Sequence, residues 1–220
     1  MKKEIIKTTD GSYTLYVPEL DETYHSTNGA LQESLHVFIE AGLKFSTLNK
    51  AAILEVGFGT GLNALTTFKE AEKEGLSIEF TSLEAFPLTW KEVSKLDYIG
   101  MEGYQKYTKI FEKMHICNWG EFVEISSNFS LRKLNLKLQE LTFENTFDII
   151  YFDAFAPQIQ PELWTEDIFR LMYKALKSKG VLVTYCAKGT VKRTLKAVGF
   201  ELQSIPGPPG KREMSRAVKG

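Results

Sequence analysis

Short apolar runs and amphipathic stretches alternate along most of this chain. Runs of strand length fall near 52–56, 78–83, 130–134, 147–152, 180–185, 200–204 and 213–218. Between them, helical periodicity predicts helices near 61–74, 87–97, 104–114, 164–177 and 188–197. That alternation predicts a parallel sheet covered by helices on both faces. Ahead of it, residues 4–7 and 13–17 read as a hairpin with Asp10-Gly11 at its turn. Residues 29–43 carry Leu31, Leu35, Phe38, Ile39 and Leu43 on one helical face. The end breaks the rule. Strand 200–204 is followed by Pro206-Gly207-Pro208-Pro209-Gly210 and another strand with no helix between, which predicts an antiparallel terminal hairpin. Residues 121–127 add a hairpin partner to the third strand of the sheet, with Asn128 near the turn.

Composition narrows the class without naming it. With 220 residues and 43% hydrophobic content, the chain can bury one α/β core. It has no apolar run of about 18 residues, the length a membrane span needs. Met1 to Lys7 is basic but lacks the apolar centre of a secretion signal, so the expected location is the cytoplasm. Cys117 and Cys186 have no metal-ligand spacing and read as two reduced thiols; no metal is expected. The net charge of −1 hides an asymmetry: from Cys186 onward eight basic residues face two acidic ones. Such a segment is either a solvated helix face with a basic tail or an edge that meets a polyanion.

The candidate chemistry gathers at strand ends, where open α/β sheets bind ligands. Glu55-Val56-Gly57-Phe58-Gly59-Thr60-Gly61-Leu62-Asn63 reads as strand, glycine turn and helix start. Alternate glycines leave few side chains to hold a ligand off, and the spacing is not that of a dinucleotide site. Glu84 ends the second strand of the sheet and suits ribose hydroxyls. Glu55, between Leu54 and Val56, either accepts loop N–H groups, sits near a cationic cofactor, or only anchors the loop. Asp153, in Tyr151-Phe152-Asp153-Ala154-Phe155-Ala156-Pro157, is a carboxylate in an apolar wall. It serves a ligand or a catalytic step, or caps the next helix, for which Pro161 and Thr165 offer other starts. His36 and His115 read as structural. His25 lies in a polar loop able to reach a site.

Five blocks carry a family resemblance: Asp21-Glu22-Thr23-Tyr24-His25-Ser26 with Gly29-Ala30-Leu31-Gln32-Glu33-Ser34; the glycine loop; Phe152 to Pro157 with Pro161-Glu162-Leu163-Trp164-Thr165; Gly180 to Tyr185; and Gly207 with Gly210-Lys211-Arg212-Glu213-Met214. The chain resembles the methyltransferase half of the bifunctional MnmC family (MnmD where that half stands alone), which methylates 5-aminomethyluridine at the tRNA wobble position. The resemblance implies a Rossmann-like class I fold, with a seven-stranded, mostly parallel sheet and a terminal antiparallel hairpin. Residues 1–45 would be an N-terminal hairpin-and-helix extension and 46–220 the methyltransferase domain. It implies S-adenosyl-L-methionine as cofactor, held by Glu55, Gly57, Phe58, Gly59, Thr60, Gly61, Asn63, Glu84 and Ala85, with Asn135 at the adenine where the family often has Gly-Asp. Asp153 matches the active-site aspartate, with Glu33 near the same pocket.

On the partner side the resemblance implies a tRNA anticodon loop. Tyr24, Phe155 or Phe86 would stack on the wobble base, and Lys188, Lys192, Arg193, Lys211 and Arg212 would hold phosphates. No flavin-dependent half lies in these 220 residues, so the expectation is a stand-alone methyltransferase with a separate FAD-dependent oxidase as a conceivable partner. Two rivals stay open: a polyamine aminopropyltransferase-like enzyme, and a non-catalytic RNA-binding methyltransferase scaffold.

Overall fold

The computed structural model describes residues 2–220. An N-terminal antiparallel sheet is built from β1 (Glu4–Lys7), β2 (Tyr13–Val17) and the two-residue β3 (Glu22–Thr23). Helix α1 (Ala30–Ser34) continues as a π-helix over Leu35–Leu43, a widening that a 3.6-residue periodicity cannot signal. The central sheet then begins. Its strands are β4 (Lys50–Val56), β5 (Ser77–Leu83), β6 (Phe122–Ser126), β7 (Phe129–Leu134), β8 (Phe147–Phe152), β9 (Leu176–Thr184), β10 (Phe200–Pro206) and β11 (Glu213–Lys219). They lie in the order β10-β11-β9-β8-β4-β5-β7-β6.

The sheet is therefore eight-stranded, not seven-stranded. Residues 122–126 do not stop at a local hairpin but extend the sheet edge, antiparallel to β7. β4, β5, β7, β8 and β9 run parallel, and β10 and β11 close the other edge as an antiparallel hairpin. Helices α2 (Leu62–Glu74), α5 (Glu166–Ala175) and α6 (Gly189–Val198) match the periodicity closely. Two other helices are shorter than expected. In the stretch 87–97 only α3 (Trp90–Val93) is α-helical: Thr89 caps it against Glu92, it passes into a 3-10 turn over Ser94–Leu96, and Asp97 ends that turn at φ 49°. In the stretch 104–114 a 3-10 turn occupies Gln105–Tyr107, and α4 (Thr108–Ile116) starts after it.

Strand alternation sorts the core into two layers. Ile53, Ile149, Tyr151 and Val183 face α1, its π-helical extension and α2; Leu54, Ile150, Phe152 and Leu182 face α5 and α6. Each large apolar side chain buried in this way contributes about 1.5–3 kcal/mol. The π-helical stretch packs onto the sheet it precedes. Phe38 lies 5.0 Å from the Tyr151 ring, and a Cβ on Gly42 would come within 3.1 Å of Val183. The N-terminal segment thus reaches the carboxyl end of β4 and β8. That end is the switch point of the sheet, where the chain passes from β4 to β5 on one side and later returns from β7 to β8 on the other. No helix among the described residues is long and apolar enough to cross a membrane.

Candidate active site

A cleft of about 1360 Å³ opens over this switch point. It exceeds the roughly 300–1,000 Å³ usual for one small ligand, which leaves space for a second. On one side run Gly57, Phe58, Gly59, Glu84, Ala85 and Phe86. On the other lie Asp153 to Gln158, Tyr185, Lys188, Lys211 and Arg212, and Tyr24, His25 and Glu33 form the N-terminal wall.

The glycine loop hangs from the end of β5, because Gly57 and Phe58 both donate their N–H to the Leu83 carbonyl, at 2.9 and 3.1 Å. The loop needs its glycines for internal reasons. Gly57 has φ 91°, and a Cβ there would sit 2.9 Å from the Asp153 carbonyl oxygen. Gly61 has φ 74°, and its Cβ would meet His115 Cε1 at 2.6 Å. The positive φ expected of the turn is present at Gly57, Gly59 and Gly61, and at Gly57 and Gly61 the close neighbour of an added Cβ is the protein itself. Phe58 is buried beneath the loop, 5.2 Å from the His115 ring.

Glu84 is at the cleft and already bound to backbone. Its Oε2 accepts from Gly59 N–H at 2.9 Å and its Oε1 from Phe86 N–H at 2.8 Å. Each oxygen keeps a further acceptor site. Asn135 is corrected. It is exposed, and its amide donates to the Glu84 and Ala85 carbonyls, at 2.8 and 3.3 Å, tying the ends of β7 and β5 together instead of facing the cleft. Glu55 also departs from the cofactor set. It is fully buried under the loop; Ser82 donates to its Oε2 at 2.5 Å, and its Oε1 has no partner. Burial holds its carboxyl well above the usual range.

Thr60, Gly61 and Asn63 stand one layer behind the cleft. Thr60 is buried, with its hydroxyl 2.8 Å from His25 Nε2 and accepting from the Tyr98 hydroxyl at 3.2 Å. Burial pushes the His25 imidazole down to about 4, so it is neutral at pH 7. The polar loop thus brings His25 to the cleft wall, where its ring meets Thr60. Asn63 donates to Asp153 Oδ2 at 2.8 Å.

Asp153 is thus brought to the cleft at the end of β8. Its backbone N–H donates to the Val56 carbonyl at 3.2 Å, and no helix starts there; α5 is capped by Thr165. Burial, assisted by the charge of Glu33, raises the Asp153 carboxyl to about 7, against the pull of Asn63 and Lys211. The wall after it is braced: Tyr185 donates its hydroxyl to the Ala154 carbonyl at 2.8 Å, and Trp164 its indole N–H to the Phe155 carbonyl at 2.9 Å. Tyr24 meets Phe155 edge-on at 5.2 Å.

The basic residues divide. Lys188, Arg193 and Arg212 are exposed, Lys188 reaching Gln158. Lys192 is paired with Glu213 at 2.6 Å. Lys211 departs most from the phosphate-binding expectation: its ammonium points into the cleft, 2.7 Å from Glu33 Oε1 and 3.8 Å from the centre of the Tyr185 ring. Among the described residues, no group of three His, Cys, Asp or Glu side chains is arranged to hold a metal ion.

A parallel sheet closed by an antiparallel hairpin, with a glycine loop and an acid at its switch point, defines a class. The chain belongs to the S-adenosyl-L-methionine-dependent methyltransferase family whose model matches residues 102–220. It is 32% identical over 211 residues to the tRNA 5-methylaminomethyl-2-thiouridine biosynthesis bifunctional protein MnmC of Leptospira interrogans, a match covering 89% of this chain and 32% of that one. The chain therefore spans about a third of that relative's length. The crystal structure of MNMC2 from Aquifex aeolicus superposes with a TM-score of 0.79 at 28% identity, over 98% of this chain and 70% of that one. The resemblance read from the five sequence blocks is borne out. Spermidine synthase from Thermotoga maritima (TM-score 0.60, 16% identity, 99% of this chain and 69% of that one) shares the fold.

Proposed function

We propose that this chain transfers a methyl group to the exocyclic amine of 5-aminomethyl(-2-thio)uridine at the wobble position of a tRNA. The observation that carries the reading is Asp153: one acid, poised near neutrality, in a cleft that also holds the glycine loop. The printed name of the Leptospira relative, which concerns 5-methylaminomethyl-2-thiouridine, supports the choice of amine.

The donor set fits S-adenosyl-L-methionine. Glu84 has acceptor capacity for ribose hydroxyls, Gly57 and Gly59 line the cleft as backbone, and the apolar Phe86 ring stands 71% exposed beside them. When bound, that cofactor supplies an electrophilic methyl on a sulfonium. Everything else falls to the side chains. Asp153 accepts a proton from the ammonium form of the substrate amine, directly or through water, so that the nitrogen lone pair is free. A carboxyl near 7 is matched to that task at neutral pH. Once that proton has passed to solvent, Asp153 is again an anion and favours the positive charge the nitrogen bears after alkylation. Tyr24 and Phe155 offer ring faces and edges to a base splayed from a single-stranded loop. Lys188, Arg193 and Arg212 face solvent near the rim and suit phosphates. A separate FAD-dependent oxidase would supply the free amine from a carboxymethylated precursor.

The test is direct. The protein is incubated with methyl-labelled S-adenosyl-L-methionine and tRNA carrying 5-aminomethyluridine or its 2-thio form, and the nucleosides are resolved. Label in the 5-methylaminomethyl nucleoside is expected; label in another nucleoside, or none in tRNA, overturns the reading.

A further inference from the structure

Among the charged side chains that line the cleft, Asp153, Glu33 and Lys211 form one group, and its arrangement is specific. Lys211 sits at the tip of the β10–β11 hairpin, whose turn is closed by Gly207 N–H on the Arg212 carbonyl at 3.2 Å and Lys211 N–H on the Pro208 carbonyl at 2.9 Å. The tip is packed hard against the N-terminal wall: a Cβ on Gly210 would lie 2.1 Å from Asn28 Nδ2. A lysine stem anchored in this way delivers its ammonium to one place, between Glu33 and the face of Tyr185. Glu33 is buried, with a side chain only 8% exposed, and both its oxygens are taken: Oε1 by Lys211 and Oε2 by the Ser26 N–H at 2.8 Å. Asp153 is treated differently. Asn63 takes its Oδ2, and the other oxygen is left to the cleft.

We infer that Lys211 is a specificity-determining residue, which fills the second carboxylate so that the cleft accepts a single positive charge. The inference rests on the proposed amine methylation. A substrate with one amine on a neutral base pairs with Asp153. The second ammonium of a free diamine or polyamine finds Glu33 already neutralised and a like charge beside it, an element that acts against the wrong ligand as well as for the right one. The same positive charge favours the neutral form of an incoming amine, which is the nucleophilic one. Glu33 and Lys211, 178 residues apart, thus work as a unit at the site although neither donates to or accepts from Asp153.

The experiment reads ligand binding, not turnover. Binding of 1,4-diaminobutane is measured by calorimetry, with S-adenosylhomocysteine present, for the parent protein and the Lys211→Met, Lys211→Arg and Glu33→Gln/Lys211→Met variants. Thermal unfolding of each checks folding, and Lys211→Gln replaces Lys211→Met should the latter not fold. Lys211→Met is expected to bind the diamine about tenfold or more tighter than the parent, because a carboxylate is released. Lys211→Arg and the double variant are expected to stay at the parent level. No gain in Lys211→Met, or a gain that persists in the double variant, overturns the inference. The two readings fail separately. A parent protein that leaves tRNA unmethylated while Lys211→Met gains the diamine removes the proposed function and keeps the charge assignment. A parent that methylates tRNA while Lys211→Met gains nothing removes Lys211 alone.

Discussion

Asn63 donates its side-chain amide to Asp153 Oδ2 at 2.8 Å, joining the first turn of α2 to the end of β8. The direction of that amide is fixed from behind, since the Ser34 hydroxyl donates to Asn63 Oδ1 at 2.7 Å and leaves the NH₂ end for the carboxylate. The bond stabilises the ionised form of Asp153 and so opposes the burial that raises it to about 7. A hydrogen bond to a charged group is worth about 1.5–3 kcal/mol, and one pKa unit is about 1.4 kcal/mol. Asn63→Leu is therefore expected to move the acid limb of the kcat/KM profile upward by about one to two units. Activity at pH 7 falls by about five- to fiftyfold and recovers above pH 9. An unmoved acid limb in single-turnover assays on tRNA would show that Asp153 is not the titrating group.

Asp153 also marks the stability curve. Its carboxyl titrates near 7 when folded and near 3.9 when unfolded. Between those values the unfolded chain loses the proton and the folded protein keeps it. Stability is therefore lost as pH rises from about 4 to about 7, and the loss is complete above that. Asp153→Asn removes this penalty. It is expected to be more stable than the parent by about 1–2 kcal/mol at pH 8, a value discounted for partial exposure, and equal to it near pH 4. Urea unfolding at the two pH values checks this. The same variant should keep cofactor binding and lose methyl transfer by about a hundredfold or more.

Much of this arrangement was legible in the sequence, for a physical reason. Parallel strands buried on both faces are short continuous apolar runs, so β4, β5 and β8 could be bounded within two residues, and the acid after each of β5 and β8 follows from strand-end geometry. The bonds that join distant segments around the cleft were not legible. His25 on Thr60, Ser34 on Asn63 and Lys211 on Glu33 join positions 29 to 178 residues apart, and no local period encodes such bonds. Asn135 was placed by alignment to a family position at the adenine, but its amide is spent on the carbonyls of Glu84 and Ala85. The eighth strand was visible as a hairpin partner, and only its role as a sheet edge needed the fold.

Gly61 tests whether the loop is held by internal packing. Its φ of 74° and the 2.6 Å approach to His115 are two separate obstacles to a side chain. Gly61→Ala is expected to cost about 2–4 kcal/mol, of which about 1–2 kcal/mol is the left-handed backbone. Removing the imidazole in Gly61→Ala/His115→Ala should relieve the clash and leave the backbone cost. The double variant is then less destabilised than the sum of the two single changes, by about 1 kcal/mol or more. Chemical denaturation of the four proteins measures the coupling; strict additivity would mean that His115 does not set the loop's position.

The basic edge makes the last prediction, because its charges are unequal. Lys188 and Arg212 are exposed at the cleft, whereas Lys192 is held by Glu213 and Lys211 by Glu33. A cation already paired within the protein has less to gain from a phosphate than a free one. Each phosphate contact on a single-stranded region adds about 0.7 to the slope of log affinity against log salt. Lys188→Ala/Arg212→Ala is expected to weaken tRNA binding and lower that slope by about 1 to 1.5, with affinity for S-adenosylhomocysteine unchanged. Lys192→Ala should change the slope by less than half as much, since its ammonium is already engaged by Glu213 and releases few counterions on docking. Filter binding across a salt series separates the two cases. Equal effects from Lys192 and the exposed pair would mean that the ion pair to Glu213 opens when tRNA docks.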